Sequence, residues 1–67
     1  MISVSINGAT HQFSGPISLA MLIGELQLEG KRIALEQNGA IVPQSCFPTQ
    51  CIANGDRLEI VVAVGGG

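Results

Sequence analysis

The sequence predicts an α+β domain in which one main helix packs on one face of a small mixed sheet of four to five strands. Two observations carry this. Apolar and polar residues alternate in Ile2 to Ile6 and again from Arg57 to Val64, while a single stretch, Leu19 to Leu26, has its apolar residues at helical spacing. Turn pairs, Asn7-Gly8, Asn38-Gly39 and Asn54-Gly55-Asp56, punctuate the strand-like runs.

Each element follows from local chemistry. Ile2, Val4 and Ile6 alternate with Ser3, Ser5 and Asn7, the period of a half-buried strand. Asn7-Gly8 is a hairpin signal because both residues tolerate positive φ, and Ala9 to Phe13 is the returning strand. Ser18 is placed to cap a helix whose stripe is Leu19, Leu22, Ile23 and Leu26. Gly24 interrupts that helix at a cost of about 1 kcal/mol, tolerable where the backbone packs closely on a sheet. Gly30 is the expected end of the segment. Ile33 to Gln37 reads as a strand, Ala40 to Val42 as a short one stopped by Pro43, and Gln44 to Ala53 as irregular chain. Arg57 to Val64 is the last strand, with Leu58, Ile60, Val62 and Val64 on its core face. Such a sheet needs one apolar cover, which the helix provides.

Composition narrows the function. The chain has 67 residues, 46% hydrophobic and 12% charged, with a net charge of −2. A single domain of this size buries about 60% of the surface its unfolded chain exposes. Lys31, Arg32 and Arg57 are the only cations, too few for nucleic acid or an anionic membrane. The N-terminus lacks a basic region followed by a long apolar one, and the longest apolar runs are five residues where a spanning helix needs about 20. The expected location is therefore the cytoplasm. Cys46 and Cys51 form one C-x4-C pair with His11 far off in sequence, short of a zinc ligand set, and are expected to be structural or incidental thiols, with a disulfide or a redox role as the lesser alternatives. No nucleophile lies beside a base, no phosphate loop is present, and Glu25, Glu29, Glu36, Asp56 and Glu59 are expected to be a solvated surface. The chain is not expected to be an enzyme.

The tail is the exception to this blandness. Residues 1–64 are expected to form the domain and 65–67 a flexible glycine tail. The glycines, Gly65, Gly66 and Gly67, contribute no side chain to a core, yet they form a bare leash of about 10 Å that could enter a narrow channel and present the Gly67 carboxylate to another protein. Beside the tail, the outward face of the last strand carries Arg57, Glu59, Val61 and Ala63, losing polarity toward the glycines. Two readings fit: a surface for a partner, or a central strand covered on both faces.

Tail and strand order together resemble the ubiquitin-like β-grasp superfamily, whose members end in diglycine-type termini. Within it the chain is similar over its whole length to the sulfur carriers of thiamine biosynthesis, the ThiS family. The residues that carry the resemblance are "ISVSING" at the start, "ALEQNGAIVPQS" from Ala34 to Ser45, Gly55-Asp56, Ile60-Val61 and the closing "VGGG". It departs from the family at Phe47, near which a tryptophan is common, and at Cys46 and Cys51.

The resemblance implies a protein co-substrate that itself binds no cofactor. An adenylating, E1-like enzyme using ATP and Mg²⁺ would activate the Gly67 carboxylate. A persulfide donor such as a cysteine desulfurase would supply sulfur, and the resulting thiocarboxylate would pass it to thiazole synthase. Gly65 and Gly66 would give access, while Arg57, Glu59, Val61 and Ala63 would contact partners. The small subunit of molybdopterin synthase is a related alternative, although it usually carries a Pro-Pro run before its tail and this chain has none there. A ubiquitin-like modifier is another, poorly suited to branched polymers with Lys31 as its one lysine. An inert binding domain with a slack end is the third.

Overall fold

A computed structural model describes residues 1–63. Five strands form one sheet: β1 (Ile2–Ile6), β2 (Ala9–Phe13), β3 (Ile33–Gln37), β4 (Ala40–Ile41) and β5 (Arg57–Val62). The spatial order is β2-β1-β5-β3-β4. β1 and β5 are parallel and the other neighbours antiparallel, so the sheet is mixed, as expected. Both hairpins turn as their Asn-Gly pairs dictate. Asn7 and Gly8 have φ of 51° and 87°, Asn38 and Gly39 of 54° and 87°, the left-handed pair that matches strand twist. The parallel β1–β5 pair cannot be closed by a short turn, and the long connection between them carries everything else.

Helix α1 (Leu19–Glu25) is capped by Ser18, whose hydroxyl accepts the Met21 N–H at 3.1 Å. It buries Leu19, Leu22 and Ile23 against the sheet. The helix ends well before Gly30. Gln27 enters the left-handed region at φ 59°, its N–H bonding to the Gly24 carbonyl and that of Leu28 to the Ile23 carbonyl, both at 3.0 Å. These are the two bonds of a Schellman cap, with Leu28 packing back on the core. Gly24 also differs from expectation. A β-carbon there would lie 3.1 Å from the Glu29 carboxylate oxygen Oε2, so its neighbour is the chain after the helix and not the sheet.

The segment from Gln44 to Ala53 is more ordered than its sequence suggests. Gln44–Cys46 form a 3₁₀ turn and Cys51 bridges to Ser18. Phe47 and Ile52 are buried with Val4, Ile6, Leu19, Leu22, Ile23, Leu35, Val42, Leu58 and Ile60. Two apolar side chains spaced five apart in polar company give no periodic signal, yet they close the side of the core that one short helix cannot cover. β5 is described as a strand only to Val62. Leu58 and Ile60 are buried, Val62 is half-buried, and Val64, expected on the same face, lies outside the described residues. No helix among the described residues is long and apolar enough to cross a membrane.

Candidate functional site

The expected reacting residues, Gly65, Gly66 and Gly67, lie outside the described residues. What the structure does describe is the strand that leads to them and how it is held. β5 is the central strand, and it is fixed at its start, middle and end.

At the start, Asp56 organises a polar cluster. Its Oδ1 accepts the Asn38 side-chain N–H at 3.0 Å, and its Oδ2 accepts the Ala53 N–H and the Gln37 side-chain N–H, both at 2.8 Å. Gln37 also donates to the Cys51 carbonyl and accepts from Gln50, while Asn38 Oδ1 accepts the Arg57 N–H. Partial burial pushes the Asp56 carboxyl up. The bonds from Asn38, Ala53 and Gln37 outweigh it and hold the group below its ordinary range. Asp56 is therefore a structural anion, not one of five solvated acids. It joins the β3–β4 turn, the 44–53 segment and the root of β5.

In the middle, Asn7 acts as a clamp. β1 pairs with β5 through Ser5–Arg57 and Ile6–Leu58, and then its chain turns away. The Asn7 carboxamide continues the ladder in place of backbone, accepting the Ile60 N–H at 2.7 Å and donating to the Ile60 carbonyl at 3.0 Å. Sequence reasoning assigned Asn7 to the turn alone. The one available signal was that its side chain, at the end of a strand in register with the last strand, has the donor–acceptor pair of a peptide unit. At the end, the Ala63 N–H donates to the Arg32 carbonyl at 3.0 Å, so the last described residue is still attached to the β3 side.

The outward face of β5 is open. Arg57, Glu59, Val61 and Ala63 are all exposed there, Val61 by 64%. A strand can thus be central in hydrogen bonding and bare on one face: β5 is central, but the expected alternative of a strand covered on both faces does not hold, because nothing among the described residues packs on Val61. Val61 lies opposite exposed Ala34, and Glu59 opposite Glu36, which pairs in turn with Ile41, itself 68% exposed. An apolar area of Val61, Ala63 and Ala34 lies at the end of the described part of β5, with Glu36, Glu59 and Arg57 behind it. Lys31 and Arg32 are exposed just before β3, at the same end as Ala63.

The remaining candidates are not brought together into a site. Cys46 is half-buried and Cys51 exposed, both as free thiols. His11 pairs with Val4 across β1–β2 and is half-buried. Among the described residues no three His, Cys, Asp or Glu side chains could hold a metal.

Residues 4–67 match the ThiS family, so the match extends through the whole glycine tail. The chain belongs to the ThiS family. Among relatives, this ThiS-family chain is 40% identical over 62 residues to a thiazole synthase of Paramagnetospirillum magneticum, covering 92% of its own length but only 19% of that protein's. It is 38% identical over 66 residues to the uncharacterized protein ycf40 of Pyropia yezoensis, covering 98% of itself and 93% of that protein. Its fold matches the crystal structure of the thiamine biosynthesis protein ThiS from Geobacter metallireducens with a TM-score of 0.83 at 22% identity, over 98% of this chain and 100% of that one. The architecture is therefore the β-grasp of the ThiS family, as its sequence implied.

Proposed function

We propose that this ThiS-family chain carries sulfur for the thiazole ring of thiamine as a thiocarboxylate on Gly67, and is a co-substrate of other enzymes. The observation that carries this is the family match through residue 67, joined to a strand fixed along its length and bare on one face where it leads to the terminus.

The chemistry follows from the weakness of a carboxylate as an electrophile. An adenylating partner with ATP and Mg²⁺ would let a Gly67 carboxylate oxygen attack the α-phosphorus and displace pyrophosphate. The acyl-adenylate then loses AMP to the terminal sulfur of a persulfide from a cysteine desulfurase pathway. A thiol cleaves the resulting acyl disulfide, leaving the thiocarboxylate on the carrier and a disulfide on the donor. Thiazole synthase receives the sulfur. Gly65 and Gly66 give the terminus access to confined active sites, and Val61 and Ala63, flanked by Arg57 and Glu59, supply the docking face. Glycine at these positions keeps the leash narrow, which no other residue can do.

The test is ATP–pyrophosphate exchange with the adenylating enzyme, alongside intact mass after sulfur loading. The wild-type chain gains one sulfur in place of a terminal oxygen. Gly66→Val widens the leash, and deletion of Gly67 withdraws the carboxylate by about 3.5 Å. Since a misplacement of about 1 Å can cost about 100-fold in rate, both variants lose nearly all exchange while melting as wild type. Near-normal exchange by both would show that this carboxylate is not the reagent.

A further inference from the structure

The ladder on the β1 side of β5 stops short of the strand. Along β5 the backbone polar groups alternate in direction. Those of Arg57 and Ala63 face β3, where the Arg57 carbonyl accepts the Asn38 N–H at 2.8 Å and the Ala63 N–H reaches the Arg32 carbonyl. Those of Leu58 and Ile60 face β1, where the Leu58 carbonyl accepts the Asn7 N–H at 2.9 Å and both groups of Ile60 are held by the Asn7 side chain. By the same alternation the N–H and C=O of Val62 face the β1 side, beyond the point where Asn7 and Gly8 turn that strand away. An extended edge of this kind is a template for a further strand.

We infer that an extended segment of thiazole synthase pairs with this β1-side edge at Val62, with Asn7 setting where the pairing starts. This rests on the carrier reading above and adds the mode of engagement. Two observations select the occupant. The edge runs directly into the residues that end in Gly67. The thiazole synthase relatives of Paramagnetospirillum magneticum and Magnetococcus marinus each contain a segment similar to this chain as 19% and 20% of their length, so carrier-like and synthase sequences share one polypeptide there. Pairing at Val62 would hold the last strand straight into the partner, where Val61 on the open face and the backbone of Val62 at the edge contact it on two sides. The outer edges of β2 and β4 do not lead to the terminus, and β4 is only two residues long.

The test is a titration of the isotope-labelled chain with thiazole synthase, following the Val62 amide by NMR, together with affinities of Val62 variants by calorimetry. On binding, the Val62 N–H shifts downfield and its exchange slows, whereas the Ala63 N–H, already bonded to Arg32, changes little. Val62→Pro removes an N–H that has no strand partner among the described residues, so the melt stays near that of wild type while affinity falls about ten-fold. Val62→Ile, which keeps the N–H, binds as wild type. An unshifted Val62 amide in the complex, or equal affinity of the proline variant, overturns the pairing and leaves the carrier reading standing. If Val62→Pro unfolds, the amide of the wild-type chain decides alone. Absence of any binding by the wild-type chain overturns the synthase as receiver and this pairing with it.

Discussion

Replacing Asn7 by glycine separates the two jobs that this residue holds. As a turn residue at φ 51°, glycine is an adequate substitute, since it enters the left-handed region without strain. As a clamp it is no substitute at all, because the bonds to Ile60 at 2.7 and 3.0 Å both come from the side chain. A protein hydrogen bond contributes about 1 kcal/mol net, so losing two costs about 2 kcal/mol. A domain of this size has about 3–10 kcal/mol in total, making the loss a large fraction. At about 4–8 °C per kcal/mol the melting temperature falls by roughly 8–16 °C. Asn7→Ala adds about 1 kcal/mol more, from a β-carbon in the left-handed region. Chemical denaturation gives the magnitude, and hydrogen exchange places it, with the Ile60 amide losing protection in the glycine variant. An Asn7→Gly chain within about 0.5 kcal/mol of wild type would refute the clamp and leave only the turn.

Two further outcomes test the polar cluster and the helix terminus. The Asp56 carboxyl lies below its ordinary value of 3.8 in the folded chain, so acid protonates the unfolded state first. Its contribution is complete above the ordinary range and is lost as pH falls through it toward the folded value. Asp56→Asn should cost about 1–2 kcal/mol at neutral pH, and its deficit against wild type, measured by urea melts, should shrink as the pH is lowered past that range. Gln27→Gly should stabilise the chain by about 0.5–1 kcal/mol, because the Schellman position holds a residue with a β-carbon at φ 59°. A lower melting temperature would show that the Gln27 side chain matters more than its backbone strain.

What could be read from the sequence was whatever repeats with a short period or turns on a single residue type. β1, β3 and the apolar face of β5 follow from alternation, both hairpins from Asn-Gly, and the helix start from Ser18. The outer face of β5 was half legible: Val61 and Ala63 fall at outward positions, but alternation alone does not say whether a second layer covers them. What could not be read depends on contacts far apart in the chain. Phe47 and Ile52 join the core without periodicity, and Asp56 is satisfied by Asn38, Ala53 and Gln37, of which two lie on another hairpin. The helix end was misplaced because glycine is the commonest left-handed cap, and here glutamine takes that position three residues earlier than Gly30. Asn7 was half legible: its turn is local, whereas its bond to Ile60 spans 53 residues.

The central placement of β5 gives these contacts a common mechanical meaning. On the proposed carrier reading, the terminus that meets a reactive phosphorus is positioned by whatever the leash hangs from, and the four residues after Ala63 span at most about 14 Å. Were that origin an edge strand held on one side, fraying by a residue would displace it by more than 3 Å, far beyond the tolerance of about 1 Å at which rates already suffer. β5 instead has β1 on one side and β3 on the other as far as Leu58, with the Asn7 side chain extending the two-sided hold to Ile60. From Val62 the hold among the described residues is one-sided, through Ile33 and Arg32. The strand therefore passes from rigid support to an available edge within two residues, and that boundary is set by a side chain and not by the end of a strand. A partner that pairs at Val62 would restore the missing side where the leash begins, so that the terminus is aimed by two proteins together.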